Sequence, residues 1–282
     1  MIYNLKAKKK IYPALIILMI FCAVFTTSCR TISTKSYEIS SPLINKGNSI
    51  IILLISDLHS SIHGKEQASL IKKIVAINPD LIILSGDVFD STYPMYGVEL
   101  LLAGISGIAP IYFVTGNHEY WSGNIHKIRD ILLSHGVIIL SDSYLVIEVN
   151  NNKLVLAGIE DPDREFFDNR LYNQRDSMEK AFRELDYLPA YKILIAHRPE
   201  NIKVYREFSF DLVLSGHTHG GQVRFLFING LYARNQGLFP KYAGGIYTHD
   251  NMTHIISRGL SLNYPRFPRI FNSPELVVIR LE

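Results

Sequence analysis

The chain has 282 residues, 48% of them hydrophobic and 20% charged, with 29 Lys+Arg against 26 Asp+Glu and only two cysteines. Such a composition excludes a disordered polypeptide and a multi-spanning membrane bundle, and two cysteines exclude a disulfide scaffold or a cysteine-rich zinc module. The formal charge of +3 belongs to one end: residues 1–28 hold Lys6, Lys8, Lys9 and Lys10 and no acid, so removing those four charges leaves the remainder at −1.

Behind the lysines, Ile11 to Phe25 is uncharged and rich in Ile, Leu, Phe and Val. A basic flank before ~7–15 apolar residues is the pattern of an export signal, whereas a spanning helix needs ~17–25. Both cysteines, Cys22 and Cys29, lie in or beside this run, and Thr26-Thr27-Ser28-Cys29 resembles a lipoprotein processing site with Cys29 as the lipidated residue. Residues 1–29 are therefore expected to be a signal or membrane-anchor segment, cleaved, uncleaved or lipidated. Positive-inside bias would leave the rest of the chain membrane-associated but extracytoplasmic. Residues 30–49, polar and rich in Ser and Thr with Pro42 and Gly47, read as a tether, and residues 50–282 as the folded domain.

Ile50 to Ile55 is a continuous apolar run of buried-strand length. Glu66 to Ile77 carries apolar residues at 70, 71, 74, 75 and 77, a helical period stopped by Asn78-Pro79. A strand at Leu81 to Leu84, a helix at Val98 to Ile105, a strand at Ile111 to Thr115 and a helix at Ile125 to Leu133 come next. Val137 to Leu140, Tyr144 to Val149 and Leu154 to Ala157 read as strands, the last two joined as a hairpin through Asn150-Asn151-Asn152-Lys153. A helix around Met178 to Leu185 precedes strands at Ile193 to Ala196, Leu212 to Leu214, His254 to Ser257 and Leu276 to Leu281. This alternation predicts a largely parallel α/β core, in which ligands bind beyond the carboxyl ends of strands.

Residue types that ligate metals stand directly after these strands. Asp57-Leu58-His59 comes after the first, Gly86-Asp87 and then Asp90 after the second, and Gly116-Asn117-His118-Glu119 after the third. His197 succeeds the strand ending at Ala196, and Ser215-Gly216-His217-Thr218-His219-Gly220-Gly221 the one ending at Leu214. Any one of these has an ordinary explanation: Asp57 or Asp87 as a turn residue, His197 as structural, the paired histidines as loop chemistry. All of them in register with strand ends do not. Carboxylates, imidazoles and one carboxamide, with no thiolate, suit Mn, Fe, Zn or Mg. Seven such residues exceed the needs of one metal and suit a pair sharing a carboxylate, the arrangement that clamps both oxygens of a phosphoryl displacement.

These blocks resemble the calcineurin-like metallophosphoesterase family, whose pattern runs D-x-H, G-D, G-N-H-[DE], a lone His and G-H-x-H. The resemblance covers about residues 49–282, and residues 216–224, 257–260 and 273–276 look like its membrane-anchored or exported bacterial branch. It implies an α/β fold of two packed mixed β-sheets flanked by helices, a βαβαβ sandwich with the site at one rim. It further implies two divalent metal ions, manganese first among Mn, Fe, Zn and Mg. Asp57, His59, Asp87 and His219 would hold one, and Asp87 would bridge to a second completed by Asn117, His197 and His217. His118 takes the family's acid role, protonating the leaving oxygen while a hydroxide held between the metals attacks phosphorus. A carboxylate should orient its imidazole, and the sequence names none; separately, Asp90 matches a position often acidic in the family, with a helix-start role as the alternative.

Two departures stand out. Ser60-Ser61-Ile62-His63 replaces a common Leu-Gly pair after His59, and Arg198 comes directly after His197. Arg198 is a candidate to bind a substrate phosphate through its guanidinium, against a structural role. Gly220 to Tyr247 interleaves Phe225, Phe227, Leu231, Tyr232, Leu238, Phe239, Tyr242 and Tyr247 with Arg224, Arg234 and Lys241. That segment is either a basic-rimmed apolar wall for a lipid-linked phosphoester or ordinary core. The expectation is a phosphodiesterase or pyrophosphatase acting on a membrane-located or amphiphilic substrate. The alternatives are a UDP-2,3-diacylglucosamine pyrophosphatase, a non-catalytic scaffold on the same fold, and a nuclease. No nucleic-acid partner is expected, because the charge beyond the leader is −1.

Overall fold

The computed structural model describes Ile16 and residues 31–168, 171–225, 227–262 and 269–282. The expected leader over 1–29 lies, but for Ile16, outside the described residues. Among the described residues no helix is long and apolar enough to cross a membrane.

Strand β1 (Ser33–Ile39) starts the described fold, succeeded by β2 (Ile50–Ile55), β3 (Leu81–Ser85), β4 (Ile111–Val114) and β5 (Ile138–Ile139). With the last strand, β14 (Glu275–Leu281), they form a six-stranded sheet in the order β1-β14-β2-β3-β4-β5. The second sheet is built from β6 (Ser143–Val149), β7 (Asn152–Gly158), β8 (Tyr191–Ile195), β9 (Leu212–Ser215), β12 (Gly245–His249) and β13 (Met252–Ile256). Its order is β12-β13-β9-β8-β7-β6, and β10 (Tyr232–Ala233) with β11 (Gly237–Leu238) makes a small separate hairpin. The central strands β2 to β5 and β7, β8, β9 and β13 run parallel. Antiparallel members flank them, with β14 against β2, β12 against β13 and β6 against β7, so both sheets are mixed.

Continuous apolar runs form the central strands because both faces are covered. In β2, Ile50, Ile52 and Leu54 point between the sheets, where they meet Ile83, Val114, Leu156, Ile193, Leu214 and Ile279. Leu53 and Ile55 point the other way, onto Leu70 and Ile74 of helix α1 (Ala68–Ile77) and Val98, Leu101 and Leu102 of α2 (Tyr96–Ile105). Each such fully buried Leu or Ile side chain stabilises the fold by ~1.5–3 kcal/mol. The outer face of the second sheet packs Val155, Leu194 and Val213 against Met178 and Phe182 of a further helix. Asn78 ends α1 in the left-handed conformation at φ 50 before Pro79, as its sequence requires. Asn150 and Asn151, at φ 49 and 60, make the two-residue turn between β6 and β7.

One expectation is corrected. Residues 33–39, assigned to a tether, form β1, in parallel register with β14 from Ser33↔Glu275 to Ile39↔Leu281. This edge strand is largely exposed and polar, and its partly buried Tyr37 and Ile39 pack on the inter-sheet core. Its alternation is therefore too faint to read as a buried strand. The topology delivers the carboxyl ends of β2, β3, β4, β8 and β9 to one rim of the sandwich.

Candidate metal centre

The loops at that rim are folded unusually. Asp57, His59, Asp87, His217 and His219 all have positive φ, at 47, 47, 50, 70 and 48. Non-glycine residues in this region cost ~1–3 kcal/mol each and persist only where surroundings over-determine them. Here the loops lace together through backbone hydrogen bonds: Asp57 N–H donates to Gly86 O at 3.1 Å, His59 N–H to Asp87 O at 3.0 Å, and Gly216 N–H to His197 O at 3.0 Å. The buried Glu119 carboxylate clamps two of them, accepting from the N–H groups of Asp87 at 2.9 Å, Phe89 at 3.0 Å and Gly116 at 2.7 Å. Any side chain at Gly116 would strike Asp87, so the close approach requires glycine.

Six of the seven expected ligands, all but Asn117, fall into two groups, which a third group of His59, Asp87 and His118 joins. Asp57, His59 and His219 present ligand atoms within 4.8 Å of one another, and so do Asp87, His197 and His217. Asp87 lies between them: its Oδ2 is 3.7 Å from His59 Nε2 and 3.1 Å from His197 Nε2. His59 Nε2 and His219 Nε2 approach to 3.2 Å, as do His217 Nδ1 and His197 Nε2. Asp57 Oδ1 is 3.6 Å from His219 Nε2, and the Asp57 carboxylate also accepts the His217 N–H at 2.9 Å.

The donor set fits divalent cations. Asn117 Oδ1 is buried with no hydrogen-bond partner, the state expected of a ligand oxygen. His197 Nδ1 sits 2.8 Å from Ser85 O, which fixes the tautomer and turns Nε2 inward. Burial by itself would protonate Asp87, but the imidazoles of His197, His118 and His59 hold its carboxyl well below the usual range. Burial keeps His217 and His219 neutral. Burial lowers the His197 pKa, but Asp87 outweighs it and raises it to about 10, and burial raises the Asp57 carboxyl. A cation bound here would displace the His197 proton, since ionised carboxylates and neutral imidazoles are the ligand forms.

His118 stands beside the first group, its ring edge-on to His59 at 4.3 Å and its side chain 20% exposed. The carboxylate that should orient it is Asp90. One Asp90 oxygen reaches both His59 Nδ1 at 3.0 Å and His118 Nδ1 at 3.4 Å. The other accepts from Thr92 N–H at 2.7 Å, Thr92 Oγ1–H at 2.7 Å and Tyr93 N–H at 3.0 Å. Asp90 thus holds a turn and aims two imidazoles at once. Burial lowers the His118 pKa, but Asp87 and the hydrogen bond to Asp90 outweigh it and raise it above the ordinary imidazole value.

The expectation that Arg198 binds a phosphate is corrected. Its fork is closed on Asp161 through Nε and Nη2, both at 2.7 Å, with Nη2 also 2.8 Å from Asp163. A guanidinium paired this way is a structural tie. The departure after His59 is absorbed locally: Ser60 takes φ 52, and His63 turns inward to the Leu260 carbonyl at 2.9 Å. Sequence reading missed the Glu119 clamp, the Arg198 pair, and Glu200 with Asn235. Those last two approach His217 Nε2 to 3.6 and 3.3 Å. Only the acid three residues after Asp87 carried a signal.

Comparison with known proteins places this geometry among relatives. The family profile described as calcineurin-like phosphoesterase matches residues 50–221. The chain is 32% identical over 178 residues to the uncharacterized protein YpbG of Bacillus subtilis, a match covering 62% of this chain and 63% of that protein's length. It is 29% identical over 289 residues to the uncharacterized metallophosphoesterase Cj0846 of Campylobacter jejuni, covering 99% of this chain and 72% of that one. Phosphodiesterase YaeI of Escherichia coli is 29% identical over 238 residues, covering 82% of this chain and 81% of its own.

Proposed function

The chain belongs to the calcineurin-like phosphoesterase family, and on that premise we propose that it hydrolyses phosphodiesters or pyrophosphates with two divalent metal ions, manganese foremost. The observation that carries this is the position of Asp87, one carboxylate shared by two clusters of buried nitrogen and oxygen donors. Asp57, His59, Asp87 and His219 would hold one ion, and Asp87, Asn117, His197 and His217 the other. Bound there, the ions supply Lewis acidity toward the phosphoryl oxygens and lower the pKa of water.

The rest falls to the protein. Asp90 aims His118, and His118, partly exposed beside both clusters, delivers a proton to the leaving oxygen. Against burial, the Asp87 charge and the hydrogen bond to Asp90 shift the His118 pKa upward, the direction a general acid needs. Asp90 also steadies His59, so one carboxylate couples the acid to the ligand set.

We assign the substrate to the amphiphilic phosphoesters. Phe225, Phe227, Tyr232, Leu238 and Phe239, which ordinary core packing would have buried, are 52%, 98%, 43%, 67% and 63% exposed, in the segment after His219. Large exposed apolar side chains grouped this way mark contact surfaces. With the lysine-flanked apolar leader, this favours a membrane-tethered enzyme facing a lipid-linked substrate outside the cytoplasm. Hydrolysis of bis(p-nitrophenyl) phosphate tests the chemistry. Manganese should stimulate it and Asp87→Ala should abolish it, while His118→Ala should reduce cleavage of an alkyl phosphodiester, whose leaving oxygen needs the proton, ~10²–10⁴-fold. Manganese-loaded protein inert toward every phosphoester would support the scaffold reading instead.

A further inference from the structure

The small hairpin β10–β11 turns through Arg234, Asn235 and Gln236, and its pairing places Tyr232 opposite Leu238 and Ala233 opposite Gly237. The turn is held firmly. Gln236 brackets Tyr242, donating from Nε2 to its carbonyl at 2.8 Å and accepting its N–H at 2.9 Å. Asn235, left-handed at φ 62, donates to Glu200 Oε1 at 2.9 Å and lies 3.3 Å from His217 Nε2. The hairpin tip therefore rests against the ligand set.

Arg234 projects from that tip onto the face of Trp121, its guanidinium carbon 4.3 Å from the ring centroid. The His118 ring also lies against Trp121, at 4.8 Å between ring centroids. A guanidinium thus stands one aromatic ring away from the proton donor, on an exposed residue. The acids around Trp121 are already engaged. Asp163 accepts from Trp121 Nε1–H at 2.8 Å and from Arg198, and Asp161 is taken by Arg198. Stacking on an aromatic face leaves the N–H donors at the edge of a guanidinium free to point outward.

We propose that Arg234 is a substrate-binding residue that takes a second phosphate next to the one undergoing hydrolysis, so that the site favours pyrophosphate-type substrates over lone phosphodiesters. The placement by Trp121 puts it on the side where His118 meets the leaving group. A leaving group carrying its own phosphate offers a bidentate partner there, and an uncharged one does not. The proposal rests on the phosphoesterase reading above for the anchoring of the first phosphate.

AMP and ADP carry one and two phosphates, and calorimetry on manganese-loaded protein measures both. Wild type should bind ADP more tightly than AMP. Arg234→Gln should weaken ADP by about tenfold or more while shifting AMP less than about threefold, and Arg234→Lys should restore part of the difference. An ADP advantage absent from wild type, or unchanged in Arg234→Gln, overturns the proposal. Equal weakening of both nucleotides assigns Arg234 a structural role on Trp121 and also overturns it. Failure of AMP itself to bind the metal-loaded wild type counts instead against the dimetal reading.

Discussion

Asp90→Asn isolates the proton-delivery step with little change of shape. The Asn carbonyl oxygen can keep the turn, accepting from Thr92 and Tyr93 where Asp90 Oδ1 does so at 2.7 and 3.0 Å. The second oxygen, which reaches His59 Nδ1 at 3.0 Å and His118 Nδ1 at 3.4 Å, becomes an NH₂ group that has only hydrogens to offer. His59 Nδ1 then loses its acceptor, and His118 Nδ1 keeps only the Ser91 hydroxyl at 3.2 Å. On His59 the consequence is a loosened ligand, and lost orienting carboxylates typically cost 10–100-fold in metal affinity. On His118 it is a misaimed and more acidic imidazole. General acids contribute ~10²–10⁴-fold, so the variant should lose roughly 10²-fold in kcat where the leaving group needs protonation. An alkyl phosphodiester is such a substrate. A p-nitrophenyl ester, whose phenolate departs readily, should lose less than about tenfold at saturating manganese. Measuring both series across a manganese titration separates the two effects. If kcat falls equally for alkyl and nitrophenyl substrates at saturating metal, Asp90 does not act through His118 and the reasoning fails.

Two further outcomes concern groups away from the reacting atoms. Glu119→Gln leaves one acceptor oxygen for three N–H donors, those of Asp87, Phe89 and Gly116, and should lower stability by roughly 3 kcal/mol with loss of bound manganese; a melting temperature equal to wild type would show that the clamp is dispensable. His254, buried beside Ser215 at 2.9 Å, has its pKa pushed down to about 3, chiefly by burial and then by His249. Below an unfolded value near 6.5 the unfolded chain binds this proton and the native one does not. Stability from neutral His254 is therefore complete above that pH and lost as pH falls toward 3. The stability advantage of wild type over His254→Asn should shrink by roughly 3 kcal/mol between pH 6.5 and 4, and a constant gap in denaturant melts contradicts the assignment.

The candidate ligand set was legible because of topology. Parallel strands bring their carboxyl ends to one rim, so residues directly after β2, β3, β4, β8 and β9 meet whatever their separation along the chain. Linear order alone then identifies Asp57, Asp87, Asn117, His197 and His217. The supporting contacts obey no such rule. Asp90 meets His59 across 31 positions, Glu119 meets Asp87 across 32, and Arg198 meets Asp161 across 37, each fixed by loop shape and not by spacing. Arg198 and Arg234 look alike in sequence, one beside a ligand histidine and one in an aromatic-rich loop. Only the position of Asp161 and Asp163 against one and Trp121 against the other separates a structural tie from an available cation. The strand β1 escaped for the opposite reason, since an exposed polar edge carries little periodic signal.

The backbone at the rim bears on function independently of any motif. Asp and His enter the left-handed region more readily than most side chains, yet five of them doing so together costs ~5 kcal/mol or more, comparable to the whole net stability of a typical domain. Glycine would occupy those positions without strain, as it does at Gly86 with φ 82. A chain shaped by stability alone has no reason to keep Asp57, His59, Asp87, His217 and His219 there. What glycine lacks is the carboxylate or the imidazole, and it is those groups that converge around Asp87. Twelve other described non-glycine residues also take positive φ, so left-handed backbone alone does not mark the site; what sets these five apart is that strained positions carry the carboxylates and imidazoles that meet around Asp87.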